Sequence, residues 1–199
     1  IQYFRDDYAY QNSISIDNEI VKKKFIVTFL GRFSTEKAPD SFIEIANLLK
    51  DNNNVYFLMA GNGILYDQTV KRIHQYKLSR QICLPGFVDS REVLSISQVL
   101  VLPSREDGRP NAVLEALAMG VPVLASRVGG LPEIIQPGET GFLFDPEDLS
   151  GFADCISQLA NDPDKYKHLC HQARHYAETV LDLKEAIQDA YLKVFEAFV

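Results

Sequence analysis

Cysteine is scarce in this chain: 199 residues hold three, Cys83, Cys155 and Cys170. That is too few and too scattered for a disulfide framework or a paired zinc motif, so the expectation is reduced thiols in a cytoplasmic setting. Positive charge is short as well. Twenty Lys and Arg face 27 Asp and Glu, a net charge of −7. This argues against nucleic acid held on a basic surface. It leaves room for a small phosphate ligand, which needs only a few local cations and aimed backbone amides. No apolar run approaches the roughly 20 residues that cross a bilayer, and no signal-peptide pattern opens the sequence. Internal repeats and low-complexity segments are absent. Histidine is sparse; His171 and His175 lie four apart in a helical pattern near His168, but no acidic ligand accompanies them, and no metal is expected.

What is present is an ordinary globular composition, 46% apolar and 24% charged, in a length that suits one domain. The sequence opens at Ile1, and its first stretch, IQYFRDDYAYQNSISIDNE, reads as neither helix nor strand. Residues 1–22 are therefore expected to be a linker or edge segment, and 23–199 a domain cut from something longer.

Short apolar runs alternate with amphipathic ones. FIVTFL (Phe25 to Leu30), VYFLMA (Val55 to Ala60), QICLPG, VLVLPS (Val99 to Ser104), PVLAS (Pro122 to Ser126) and the weaker GFLF (Gly141 to Phe144) predict about six strands. Their nearly continuous apolar character fits a parallel sheet covered on both faces. Between them, Pro39 opens a helical pattern in which Phe42, Ile45, Ala46 and Leu49 share a face. Further helices are predicted at Leu65–Lys77, Arg91–Ser97, Asn111–Met119 and Leu131–Ile135. Three more follow at Leu149–Leu159, Lys165–Thr179 and Leu183–Phe198. Repeated strand–helix alternation predicts an α/β, doubly wound, Rossmann-like sheet with extra C-terminal helices.

In such sheets ligands bind beyond the carboxyl ends of the strands. The turn-rich segments GRFSTEK, AGNG, PGFVD, PSREDGRPN and SRVGGLPE all fall there. In the first, Gly31 permits a sharp turn, and Arg32 and Lys37 are either a clamp for a diphosphate or two solvated loop cations. In the fourth, a helix beginning near Asn111 offers amides at 111–114 to an anion. Glu115, about one turn inside, either accepts ligand hydroxyls or complements the helix terminus.

The run Asp107-Gly108-Arg109-Pro110-Asn111-Ala112-Val113-Leu114-Glu115-Ala116, followed by Ala118-Met119-Gly120-Val121-Pro122-Val123, resembles the signature of the GT4 (group 1) family of retaining glycosyltransferases. The pattern has two acids separated by seven residues, then a small-residue turn and Gly-x-Pro-Val. Gly31-Arg32-Phe33 with Lys37, Ala60-Gly61-Asn62-Gly63, Leu84-Pro85-Gly86-Phe87-Val88, Gly129-Gly130-Leu131-Pro132-Glu133 and Gly138-Glu139-Thr140-Gly141-Phe142-Leu143 are similar in order and spacing.

The resemblance implies the C-terminal, donor-binding domain of a GT-B fold, with the N-terminal acceptor domain lying outside this chain. The activity implied is that of a hexosyltransferase serving polysaccharide or glycolipid synthesis. Gly31 would shape the turn, while Arg32 and Lys37 would hold the diphosphate of a UDP-, GDP- or ADP-sugar. Amides of Asn111, Ala112, Val113 and Leu114 would bind phosphate oxygens, Glu115 the ribose, and the Val88 main chain the base. Asp107 and Gly108 would face hydroxyls of the donor sugar. No cofactor or metal is implied, and membrane association would come only through the absent half; the isolated domain would transfer nothing. Two departures stand out: Asp107 occupies a position where Glu is usual, about 1.5 Å shorter, and Lys37 is followed by Ala38 where Gly is usual. A nucleotide-sugar epimerase or phosphorylase of the same architecture, or a non-catalytic binding module, would share much of this pattern.

Overall fold

The computed structural model describes residues 16–180, Arg109 excepted. All six predicted strands form: β1 (Phe25–Leu30), β2 (Val55–Ala60), β3 (Ile82–Gly86), β4 (Val99–Leu102), β5 (Val123–Ser126) and β6 (Gly141–Phe144). They make one sheet in the order β3-β2-β1-β4-β5-β6, every pairing parallel. Chain progress runs outward from β1 in one direction and from β4 in the other, so the topological switch falls between β1 and β4. In open α/β sheets ligands bind at such a switch point, beyond the carboxyl ends of the strands.

Strand side chains alternate between the two faces, and both are buried. Val27, Phe29, Phe57, Met59, Val99, Val101 and Leu124 meet helix α2 (Pro39–Leu48), Ile73 of α3 (Tyr66–Gln75), and Phe152, Ile156 and Leu159 of α7 (Leu149–Asn161). On the other face Leu100, Leu102, Val123 and Ala125 pack on α5 (Asn111–Ala118) and α6 (Leu131–Ile134), on Leu94 of α4 (Ser90–Ile96), and on Ala173 and Ala177 of α8 (Pro163–Thr179). This two-sided burial is why the strands read as unbroken apolar runs. The predicted helix at Leu183–Phe198 lies outside the described residues.

The amino-terminal segment departs from expectation. Residues Asn18–Lys23 form a short helix, α1, at the end of the stretch expected to be a linker or edge segment and read as neither helix nor strand. The Asp17 carboxylate caps it by accepting from the Glu19 amide at 2.9 Å, and Glu19 pairs with Lys23 one turn on. Ile16 and Val21 pack beside Ile26, Leu58 and Val93. Six residues are too few to display a helical period, which is why the pattern was not visible. Helix α2 begins as predicted with Pro39 in its first turn, preceded by Ala38 held at φ 52°, ψ 57° and fully buried. That left-handed backbone costs an alanine about 1–2 kcal/mol, at the position where the resemblance places glycine.

Candidate functional site

The site is built from loops at one edge of the sheet. After β1 the chain turns at Gly31, whose amide donates to the Ala60 carbonyl at 3.1 Å; Phe33 donates to the Asn62 carbonyl at 2.9 Å. Gly61 allows this approach, because a Cβ there would lie 1.9 Å from the Gly31 carbonyl oxygen. Phe33 is fully buried, stacked on Tyr66 and edge-on to Phe29. With Phe33 fixed inward, its neighbour Arg32 is exposed and makes no ion pair among the described residues.

The β1 and β4 loops are joined across the switch point. The Glu36 carbonyl accepts from the amides of Arg105 and Glu106, at 2.8 and 3.3 Å. Lys37 Nζ donates to Asp107 Oδ2 at 2.6 Å, and Ser104 Oγ donates to the same oxygen at 3.1 Å. The Asp107 side chain is 3% exposed and that of Lys37 24%. Bonding to its own backbone amide and then the Ser34 side chain, with smaller contributions from the charges of Arg32 and Lys37, holds the Glu36 carboxyl below its ordinary range.

Arg105 was not anticipated. Its guanidinium takes both oxygens of Asp40 at 3.0 and 2.6 Å and reaches the Thr35 carbonyl at 3.1 Å, tying the β4 loop to α2. Burial pushes the Asp40 carboxyl up, but hydrogen bonds and charge from Arg105 prevail and hold it below its ordinary value. Arg105 and Asp40 are 65 positions apart, and nothing in either local pattern signals the pair. A cleft of about 520 Å³ between α2 and α3 shares Arg105, Asp40 and Thr35 with this bracing but not Arg32, Lys37 or Glu115. It is not the site the sequence predicts.

Helix α5 begins at Asn111, after the loop that leaves β4. Pro110, extended at φ −70°, ψ 126°, precedes it. The Pro110 carbonyl accepts from the Val113 amide at 3.1 Å, so the predicted anion site at 111–114 narrows. Val113 already has a partner, and Leu114, the fourth helical residue, belongs to the intrahelical ladder. Among the described residues no acceptor engages the amides of Asn111 and Ala112. Val113 is core, whereas Glu115 is half-buried, one turn from the helix start.

Two further loops complete the edge. Gly130 donates to the Gly108 carbonyl at 2.9 Å and to Asp107 at 3.3 Å, and a Cβ on Gly129 would lie 1.6 Å from the Asp107 carbonyl oxygen. After β3, Val88 is half-buried beside Val93, and its neighbour Phe87 is 89% exposed. Gly31, Arg32, Lys37, Val88, Asp107, Gly108 and Asn111–Glu115 thus converge on one sheet edge; of the predicted charged groups, only Lys37 and Asp107 are in contact. Among the described residues there is no cluster of three His, Cys, Asp or Glu able to hold a metal ion, and no helix long and apolar enough to cross a membrane.

The six-stranded, all-parallel, doubly wound sheet is Rossmann-like, and its solved structural neighbours are glycosyltransferases of the GT-B class. The chain belongs to the glycosyl transferases group 1 family, whose model matches residues 11–176. It is 32% identical over 152 residues to a 2-deoxystreptamine N-acetyl-D-glucosaminyltransferase of Niallia circulans, covering 74% of this chain and 39% of that protein. S. aureus TarM, solved with UDP and α-GlcNAc-glycerol, superposes with a TM-score of 0.79 at 27% identity, over 87% of this chain and 36% of that one. The C-terminal domain of a group 1 glycosyl transferase, LpcC of Francisella tularensis, shares the fold with a TM-score of 0.76 at 24% identity. That match covers 92% of this chain and 97% of that domain. The chain spans less than half the length of the curated relatives it matches.

Proposed function

We propose that this chain is the donor-binding half of a retaining glycosyltransferase, one that moves a sugar from a nucleoside diphosphate to a hydroxyl acceptor. The observation that carries the reading is the composition of the switch-point edge. Arg32 and Lys37 leave one strand, and the unpartnered Asn111 and Ala112 amides follow the strand beside it. A diphosphate bridges such a pair of elements well: guanidinium and ammonium meet its charge, and helix amides meet its oxygens without any metal.

As the bond from anomeric carbon to phosphate oxygen breaks, negative charge accumulates on the departing nucleoside diphosphate. Fixed cations and amides that bind this charge more strongly than the ground state lower the barrier. Glu115 accepts ribose hydroxyls and the Val88 main chain meets the base. The acceptor is held by a part of the protein outside this chain, so this chain alone binds nucleotide and transfers no sugar. Three cysteines that form no disulfide accord with a reducing, cytoplasmic setting.

The test is calorimetric titration of the 199-residue chain with UDP, GDP and ADP. Saturable binding of one of them is expected, and its identity names the base. No heat and no amide shifts at millimolar concentration with any of the three overturns the reading.

A further inference from the structure

The carboxylate expected to face the donor sugar is turned elsewhere. Asp107 is an inward side chain, 3% exposed, whose Oδ2 already accepts from the Lys37 ammonium and the Ser104 hydroxyl. Its backbone is fixed as well: the carbonyl accepts from Gly130 and lies against the Cα of Gly129, leaving no room for a side chain there. Being one methylene shorter than the usual glutamate, it stops at the loop floor. Lys37, by contrast, keeps a quarter of its surface open. An ammonium has three protons, so it donates to Asp107 on one side and retains donors for a ligand on the other.

We infer that Asp107 is a positioning residue: through its buried bond to Lys37 it fixes that cation at the sheet edge, and it does not serve as a contact for sugar hydroxyls. The inference rests on the donor-binding reading of the site. A free lysine carries four rotatable bonds and samples many rotamers, so most of its charge is misplaced for any one phosphate. Anchoring Nζ at 2.6 Å removes that freedom before ligand arrives. It also links the β1 and β4 loops at a second point beside the Glu36 carbonyl.

Free nucleoside diphosphate separates the two roles, because it carries no donor sugar. A sugar contact would leave its affinity untouched by Asp107→Asn. A positioning role requires that affinity to fall about tenfold, with the matching nucleotide sugar falling by the same factor. The effect must also pass through Lys37: in a Lys37→Ala background, adding Asp107→Asn should change the dissociation constant by less than about twofold. Asp107→Glu should recover part of the loss. Unchanged nucleotide affinity in Asp107→Asn, or additive losses in the double variant, overturns the proposal alone. A parental chain that binds none of the three nucleotides overturns the functional reading and this proposal with it. Should Asp107→Asn fail to fold, the parental chain answers. Its Lys37 ammonium should give a slowly exchanging ¹⁵N–¹H signal that Lys37→Arg abolishes, and absence of that signal overturns the proposal.

Discussion

Replacing Gly129 with alanine tests how tightly the site's loops interlock. The added Cβ would stand 1.6 Å from the Asp107 carbonyl oxygen and 2.7 Å from its carbon, on a backbone at φ 51°. Nonbonded carbon and oxygen do not approach within about 3 Å in close-packed interiors, so the two loops must part by more than 1 Å. Separation on that scale breaks the Gly130 bond to Gly108, worth about 0.5–1.5 kcal/mol, and left-handed backbone costs alanine about 1–2 kcal/mol. The sum, about 1.5–3.5 kcal/mol, corresponds to a fall in Tm of roughly 3–14 °C for a domain of this size. Because Asp107 moves too, Lys37 loses its anchor and nucleotide affinity should fall with stability. Gly108→Ala is the control: nothing lies within 4 Å of its Cβ, so melting should be unchanged, while nucleotide-sugar binding falls if ligand occupies that space. The pair of variants needs thermal melts and one titration each. Equal melting temperatures for Gly129→Ala and the parent would refute the reasoning.

Other outcomes follow from the same geometry. Arg32→Ala should leave Tm unchanged, since the side chain has no ion-pair partner among the described residues, and should weaken diphosphate binding by about 1.5–3 kcal/mol, read by calorimetry. Glu115→Ala should weaken free nucleotide and nucleotide sugar by the same factor, because ribose is common to both; loss with the sugar nucleotide alone would reassign the residue. Asp40 has its folded pKa below the ordinary value, so its pairing with Arg105 stabilises above that value and is lost as pH falls through the folded pKa. Urea melts below about pH 4 should therefore show Asp40→Asn losing stability less steeply than the parent as pH drops.

The strands were legible because two-faced burial makes them continuous apolar runs, and the loops because glycine and proline mark where the chain turns. The charged residues of the edge were legible by type and spacing, yet their partners were not. Lys37 and Asp107 are 70 positions apart and Arg105 and Asp40 65, and no local pattern encodes which cation meets which acid. The direction of Asp107 also escaped sequence reasoning, because a carboxylate in a loop reads the same whether it faces ligand or floor. Helix α1 was hidden by its length, and the spent Val113 amide by a carbonyl orientation set at Pro110.

The two amides on the Glu36 carbonyl, the Lys37–Asp107 bond and the grip of Arg105 on Asp40 make residues 31–40 and 104–108 a single part. For anyone altering donor preference by grafting loops between family members, the exchangeable unit is this pair. A lone graft of either segment leaves a carboxylate or a cation facing a partner from another lineage. A single side-chain change at an exposed position outside that joint, such as Phe87, leaves it intact, and is the kind of step by which a new specificity would be reached without passing through an unstable intermediate.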